Sequence, residues 1–129
     1  MNKILVEVSV GELFDKISIL EIKKDRIKDL DKLKFINDEY EVLKSELEKN
    51  VKMDIKLEKF FVALKNVNSK LWIIEDDKRK CENDTNFGED FIRLSRDVHF
   101  LNDTRAKIKL DINNHTGSKI KEIKEYTSY

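Results

Sequence analysis

The chain has 129 residues, of which 40% are hydrophobic and 40% are charged, with three glycines and no proline. This length fits one domain, and the scarcity of helix-breaking residues is typical of helical proteins. The 26 basic and 26 acidic residues cancel, so we expect no nucleic-acid partner and no electrostatically bound membrane, because both need an excess of one sign.

Cysteine content and hydropathy predict a cytoplasmic protein. Cys81 is the one cysteine, so it cannot form an internal disulfide and fits a reducing compartment. No run approaches the ~18 apolar residues that would span a membrane. The start of the chain also lacks the small-residue cleavage site of a signal peptide.

The first elements are a short arm and a helix. Residues 3–8 (KILVEV) are rich in β-branched residues but too short to form a sheet, which predicts an extended arm over 1–8 that lies on helices. Ser9 and Glu12 have the spacing of a capping box, so the first helix is predicted to begin here. Apolar residues then recur at helical spacing as far as Ile27.

A second helical stripe runs from Leu33 to Leu47. Its phase is broken around Leu30, which lies between two aspartates, Asp29 and Asp31. The alternatives are one long helix with a stutter, or a second helix that an aspartate caps after a tight turn. The spacing favours the break.

Two long segments, 55–83 and 88–113, carry the most regular apolar stripes. Asp54 is a predicted cap before the first, and turn-forming residues separate the two. Because the loop is short, the segments must run antiparallel and bury their stripes together. The prediction for 1–129 is a single all-α domain, a three- or four-helix bundle built on this long antiparallel hairpin with a short extended N-terminal arm. A charged tail over 115–129 is either frayed or docked through three side chains, Ile120, Ile123 and Tyr126.

Charge interrupts the apolar stripe of the last segment. Position 105 has the phase of a buried residue but is an arginine. We group it with nearby charged and polar residues as the candidate site: Glu75, Arg93, Arg96, Asp97, Asn102, Asp103 and Arg105. Counting outward from the hairpin loop sets Arg105 opposite residues 66–68. Its candidate partners are Asn68 and a carboxylate of the first helix, Asp15 or Glu21.

This cluster has three interpretations. A buried arginine needs partners, since removing one member of a buried ion pair costs about 3–5 kcal/mol. The favoured interpretation is therefore a satisfied polar layer around Arg105 that fixes helix register. Alternatively, Arg93, Arg96 and Arg105, with Glu75 and Asp97, line a cleft that binds an anion such as phosphate or carboxylate. The third interpretation is the rim of a protein interface.

Other residue types form no recognisable site. Neither His99 nor His115, the latter in a terminal loop, has a second histidine at ligand spacing, so no metal is expected. No cofactor motif is present either. Cys81 follows the buried phase and is predicted to be a small buried residue. Trp72 flanks that phase and is predicted to lie in the core or at an interface.

Four stretches resemble a small uncharacterised family of bacterial and phage proteins, known as a domain of unknown function. They are 7–27 (EVSVGELFDKISILEIKKDRI), 71–79 (LWIIEDDKR), 91–113 (FIRLSRDVHFLNDTRAKIKLDIN) and 117–129 (GSKIKEIKEYTSY). Members carry a proline around the position of Leu30, which implies a helix break there. Because the family has no established activity, the resemblance transfers no catalytic residues to this chain. It implies only a loose link to surface-polysaccharide metabolism. It also groups five of the candidate residues, Glu75, Arg96, Asn102, Asp103 and Arg105.

The sequence is compatible with either of two functions, which belong to different classes. The first is a small cytosolic interaction or accessory protein, for example a homodimer or the binder of another protein. Its basis is a surplus of apolar side chains beyond one stripe per helix, namely Phe61, Trp72, Ile73, Ile92, Phe100 and Leu110. The alternative is an enzyme or binding domain for a phosphorylated small molecule such as a sugar nucleotide. There the arginines would hold the anion, and Glu75 or Asp97 would act as base.

Overall fold

The computed structural model describes residues 2–129 and contains four α-helices joined by short connections. The helices are α1 Val10–Arg26, α2 Leu30–Asn50, α3 Ile55–Asn83 and α4 Glu89–Thr116. Residues 2–129 contain no strand. The predicted all-α bundle is confirmed, and its four helices include the long hairpin, now α3 and α4.

Side-chain caps set where the first three helices begin. Ser9, Asp29 and Asp54 each accept a hydrogen bond from the backbone N–H three residues ahead, at 3.0, 3.0 and 2.8 Å. Such caps satisfy an N–H that has no partner inside the helix. α1 ends at Arg26 and Asp29 starts α2, so the predicted break around Leu30 is confirmed.

Helix α1 packs against all three other helices, while α3 and α4 pack against each other. Gly11 contacts Asn113 and Asp15 contacts Arg105, so α1 runs antiparallel to α4. A Cβ atom on Gly11 would lie 2.5 Å from the backbone oxygen of Lys109. The glycine is therefore required for this close approach, and its N–H donates to Asn113 Oδ1 at 2.7 Å.

The apolar core draws on all four helices. Its buried members are Phe14, Ile17, Leu47, Leu57, Leu64 and Ile112. Nearer the hairpin loop, Cys81 and Leu94 are 9% and 8% exposed, which confirms the predicted burial of the cysteine. Within residues 2–129, no helix combines the length and hydropathy needed to cross a bilayer.

The N-terminal arm is less packed than predicted. Residues 2–8 form neither helix nor strand, and Met1 lies outside the described residues. Ile4, Leu5 and Val6 are 77%, 83% and 74% exposed. The expectation that the arm lies on the helices is therefore wrong. Residues 2–8 join no helix or strand of the bundle, so no regular backbone pairing holds these side chains against it.

The tail begins after α4, which extends to Thr116, and runs back along that helix. Gly117 ends α4 with a φ of 67°, a conformation that glycine adopts readily. Glu122 accepts a hydrogen bond from Lys109 at 3.0 Å, and the Tyr129 hydroxyl binds the Asp103 carboxylate. Of the two alternatives for the tail, docking through Ile120, Ile123 and Tyr126 does not occur, because these three side chains are exposed.

Candidate functional site

Asp15 is the centre of a buried polar layer that joins α1, α3 and α4. Its side chain is 2% exposed, and Arg105 donates to both carboxylate oxygens, with Nε–Oδ1 at 2.9 Å and Nη2–Oδ2 at 2.5 Å. Asn68 donates to Asp15 Oδ1 and to Ser18 Oγ, each at 2.8 Å. Of the two carboxylates considered for Arg105, Asp15 is therefore the partner. Glu21 instead pairs with Lys65 at 3.1 Å.

Lys109 extends this layer toward the start of α1. Its side chain is 10% exposed, and Nζ lies 2.7 Å from Glu12, 3.0 Å from Glu122 and 3.8 Å from Asp15. Only half of the predicted capping box forms, because the Glu12 carboxylate binds Lys109 rather than the backbone N–H of Ser9. Each charged group of the layer therefore has a partner of opposite sign.

Ion pairing outweighs burial in setting the protonation of the layer. Burial raises the pKa of Asp15, but hydrogen bonds from Arg105 and Asn68 and the nearby positive charges bring it below its usual value. The hydrogen bonds to Asp15 raise the pKa of Arg105. Burial lowers the pKa of Lys109, but its carboxylate partners raise it overall. All three groups are thus charged at neutral pH.

A surface groove of about 430 Å³ lies over the polar layer, between α1, α3 and α4. Its volume is in the range of small-molecule sites, roughly 300–1,000 Å³. Asn68 and Arg105 are its most buried polar residues, and Glu75 pairs with Arg79 at 2.9 Å nearer solvent. The other lining residues are Ile19, Ile22, Leu71, Trp72 and Asp76.

Two of the seven candidate residues line this groove, and a third contacts one of them. Arg105 and Glu75 line it. Asn102 Oδ1 accepts a hydrogen bond from Arg105 Nη1 at 3.4 Å. This part of the candidate site is thus contiguous in space, and its arginine is already bound to a carboxylate.

The other four candidate residues lie elsewhere on α4. Arg93, Arg96 and Asp97 belong to a second surface, and the Asp103 carboxylate accepts a hydrogen bond from the Tyr129 hydroxyl. We call this second surface the outer face of α4; its residues are Glu89, Ile92, Arg93, Arg96, Asp97 and Phe100. The three candidate arginines therefore do not line one cleft.

The two histidines have structural neighbours. His115, predicted in a terminal loop, lies in the last turn of α4 instead, with Nε2 2.8 Å from Asp54. His99 contacts the rings of Phe100 and Tyr129. Within residues 2–129, no three His, Cys, Asp or Glu side chains lie close enough together to hold a metal ion.

A family model described as a family of unknown function (DUF6165) matches residues 4–129. The chain belongs to this family. The match confirms the resemblance carried by the four sequence stretches, and it spans the polar layer, the groove and the outer face of α4. No curated protein and no solved structure is similar enough to match the chain.

Sequence reasoning does not identify Lys109 as part of the polar layer. One signal for it was present, because Lys109 follows Arg105 by four residues and therefore shares its helix face. The contribution of Trp72 to a groove carries no such signal. Whether Trp72 lines a groove depends on the axial position of α1 against α3 and α4. The close approach at Gly11 sets that position.

Proposed function

We propose that this protein is a small helical interaction protein that pairs with a second copy of itself through the outer face of α4. The observation that carries the proposal is the arrangement of two exposed apolar side chains around two opposite charges. Ile92 is 54% and Phe100 is 40% exposed, and Arg96 and Asp97 lie midway between them. This continues the interpretation of these charges as part of an interface.

The outer face of α4 is complementary to itself. When two copies of α4 pack antiparallel about a two-fold axis beside Arg96 and Asp97, the Ile92 of one copy meets the Phe100 of the other. An axis between Arg96 and Asp97 sets each Arg96 opposite the other copy's Asp97, and it leaves Ile92 about 1.5 Å along the helix from the level of the other copy's Phe100. Arg93 is already paired with Asp90 at 3.7 Å, whereas Arg96 and Asp97 form no ion pair within residues 2–129.

The polar layer supports this assignment over an anion cleft formed by three arginines. Arg105 is bound to Asp15 at two points, so it is not free to join Arg93 and Arg96. A face of about three helical turns is small, and interfaces below about 1,200 Å² are those of weak, transient complexes. The expected dimer therefore dissociates in the micromolar range or above.

Charge exchange tests the pairing. Sedimentation velocity should show concentration-dependent dimerisation of the unaltered chain between about 1 μM and 1 mM. Arg96→Asp and Asp97→Arg should each be monomeric, because each sets like charges opposite each other. A mixture of the two variants should associate again, and so should the double variant R96D/D97R.

Two further variants locate the surface. Ile92→Ser should weaken association, while Ile73→Ser, which alters an exposed isoleucine of α3, should leave it unchanged. A chain that stays monomeric throughout the concentration series overturns the proposal. So does a dimer that persists in both single charge variants, since its interface must then lie elsewhere.

A further inference from the structure

We infer that the groove over Asn68 and Arg105 is a binding site for a planar heterocycle with a cyclic-amide edge, the chemistry of uracil-like and guanine-like rings. Such an edge places a carbonyl acceptor beside an N–H donor. The inference goes beyond the proposed self-association, because the groove and the outer face of α4 are lined by different residues.

The groove offers one fixed donor. Asp15 holds the guanidinium of Arg105 through Nε and Nη2, so its orientation is set before any ligand arrives. Nη1 makes one hydrogen bond within residues 2–129, to Asn102 at 3.4 Å. A carbonyl in the groove can therefore accept a hydrogen bond from Nη1 with little ordering cost.

The groove also offers one acceptor, on a side chain that is otherwise mostly buried. Asn68 is 5% exposed and lines the groove. Its Nδ2 donates to Asp15 and to Ser18, which fixes the amide orientation because a carbonyl facing the Asp15 carboxylate would be repelled. No donor among residues 2–129 reaches Asn68 Oδ1, so an N–H of a bound ring can donate to it.

The side chains that carry the donor and the acceptor meet at Asp15. Asn68 Nδ2 and Arg105 Nε bind the same oxygen, Asp15 Oδ1, at 2.8 and 2.9 Å. The groove thus offers a donor and an acceptor on two adjoining side chains, and a cyclic amide carries the complementary pair of groups. Its acidic and basic residues balance as well, namely Glu75, Asp76, Arg79 and Arg105. A neutral ring therefore fits better than a multiply charged anion.

The walls favour a flat, apolar ring. Ile19, Ile22 and Leu71 supply aliphatic surface and Trp72 supplies an indole. Planar rings stack on indole, and base–aromatic stacking contributes about 1–3 kcal/mol per base in nucleic-acid complexes. A mostly apolar groove with two placed polar groups is the usual design of a small-molecule site.

The single tryptophan of the chain makes the test direct, because Trp72 fluorescence reports on this groove alone. Uridine should change that fluorescence saturably, with a dissociation constant of about 1 mM or tighter. 3-Methyluridine, whose ring N–H is replaced by a methyl group, should bind at least about tenfold more weakly. Equal binding of the two, or no saturable change with uridine, guanosine or 2-pyridone, overturns the inference.

Two variants place the ligand in the groove. Ile19→Phe fills it and should abolish the uridine signal, while Ile73→Phe, the same change on an exposed face of α3, should keep it. If Ile19→Phe does not fold, Trp72→Leu takes its place with calorimetry as the readout, and retained affinity there contradicts the inference. A monomeric chain that binds uridine would refute only the proposed dimer.

Discussion

Arg105 and Asp15 form a two-point ion pair across the interface of α1 and α4, with Nε 2.9 Å from Oδ1. The two partners are unequally buried, since the Asp15 side chain is 2% exposed and the Arg105 side chain 28%. Loss of the arginine therefore leaves the more deeply buried charge without its main partner. The two groups should behave as one energetic unit.

A double-mutant cycle measures that unit. Arg105→Met should lower the free energy of unfolding by about 3–5 kcal/mol, because it leaves the buried Asp15 carboxylate without its main partner. Asp15→Asn should lower it by less, because the Arg105 guanidinium left behind is 28% exposed. The double variant D15N/R105M should cost less than the sum by about 1–3 kcal/mol. Urea unfolding followed by circular dichroism gives all three values. Arg93→Met, an exposed change on the same helix, should stay within about 0.5 kcal/mol of the unaltered chain.

Stability should fall in acid because of Asp15. Its pKa is below the usual value in the folded chain, so the unfolded chain binds its proton first as the pH drops. Asp15 therefore stabilises the fold above its unfolded pKa, roughly pH 4, and this contribution is lost as the pH falls through the folded pKa. Urea unfolding between neutral pH and about pH 3 should show a steeper loss for the unaltered chain than for Asp15→Asn. Identical slopes would contradict this origin.

Gly11→Ala should destabilise the bundle although alanine favours helices. The added Cβ would lie 2.5 Å from the backbone oxygen of Lys109, and such overpacking costs about 1–3 kcal/mol. The gain in helix propensity is no more than about 1 kcal/mol. Gly88→Ala is the matched control, because its Cβ would meet nothing closer than 3.5 Å. A shift in thermal unfolding no larger than that of the control would refute the close-approach argument.

Removal of the tail after Ser118 should lower the free energy of unfolding by only about 1 kcal/mol. The cut deletes Glu122, whose side chain is 45% exposed, and solvent weakens such ion pairs to about 0–1 kcal/mol. Lys109 keeps Glu12 at 2.7 Å, so it is not left alone. Lys109→Met should lower the free energy of unfolding by more than the truncation does, because it leaves the Glu12 carboxylate without this partner. If the free energy of unfolding measured in urea falls by several kcal/mol in the truncated chain, the tail belongs to the core.

The starts of the first three helices could be predicted because they depend on local chemistry. Ser9, Asp29 and Asp54 each bind a backbone N–H within one turn, and such contacts follow from spacing alone. The pairing of Arg105 with the region of Asn68 was also predictable, since a short loop fixes the register of an antiparallel hairpin. Both residues bind the same oxygen of Asp15, as a shared polar layer requires.

The supposed cluster of three arginines could not be located by proximity in sequence. Arg96 and Arg105 are nine residues apart, which is about two and a half turns of a helix. They consequently lie on opposite sides of α4, one turned outward and one turned toward α1. The separation of Arg96 and Arg105 could be predicted from helical phase. The groove could not be predicted, because its walls come from helices that only the three-dimensional packing brings together.

Cys81 has a practical consequence. As the single thiol of the chain, 9% exposed near the hairpin loop, it is shielded from bulky alkylating reagents while α3 and α4 remain closed. Alkylation of Cys81 therefore requires local separation of α3 and α4 near the loop. At high reagent concentration the alkylation rate becomes equal to the rate of this local opening. Alkylation of Cys81 thus measures how often the two longest helices separate, without any substitution in the chain.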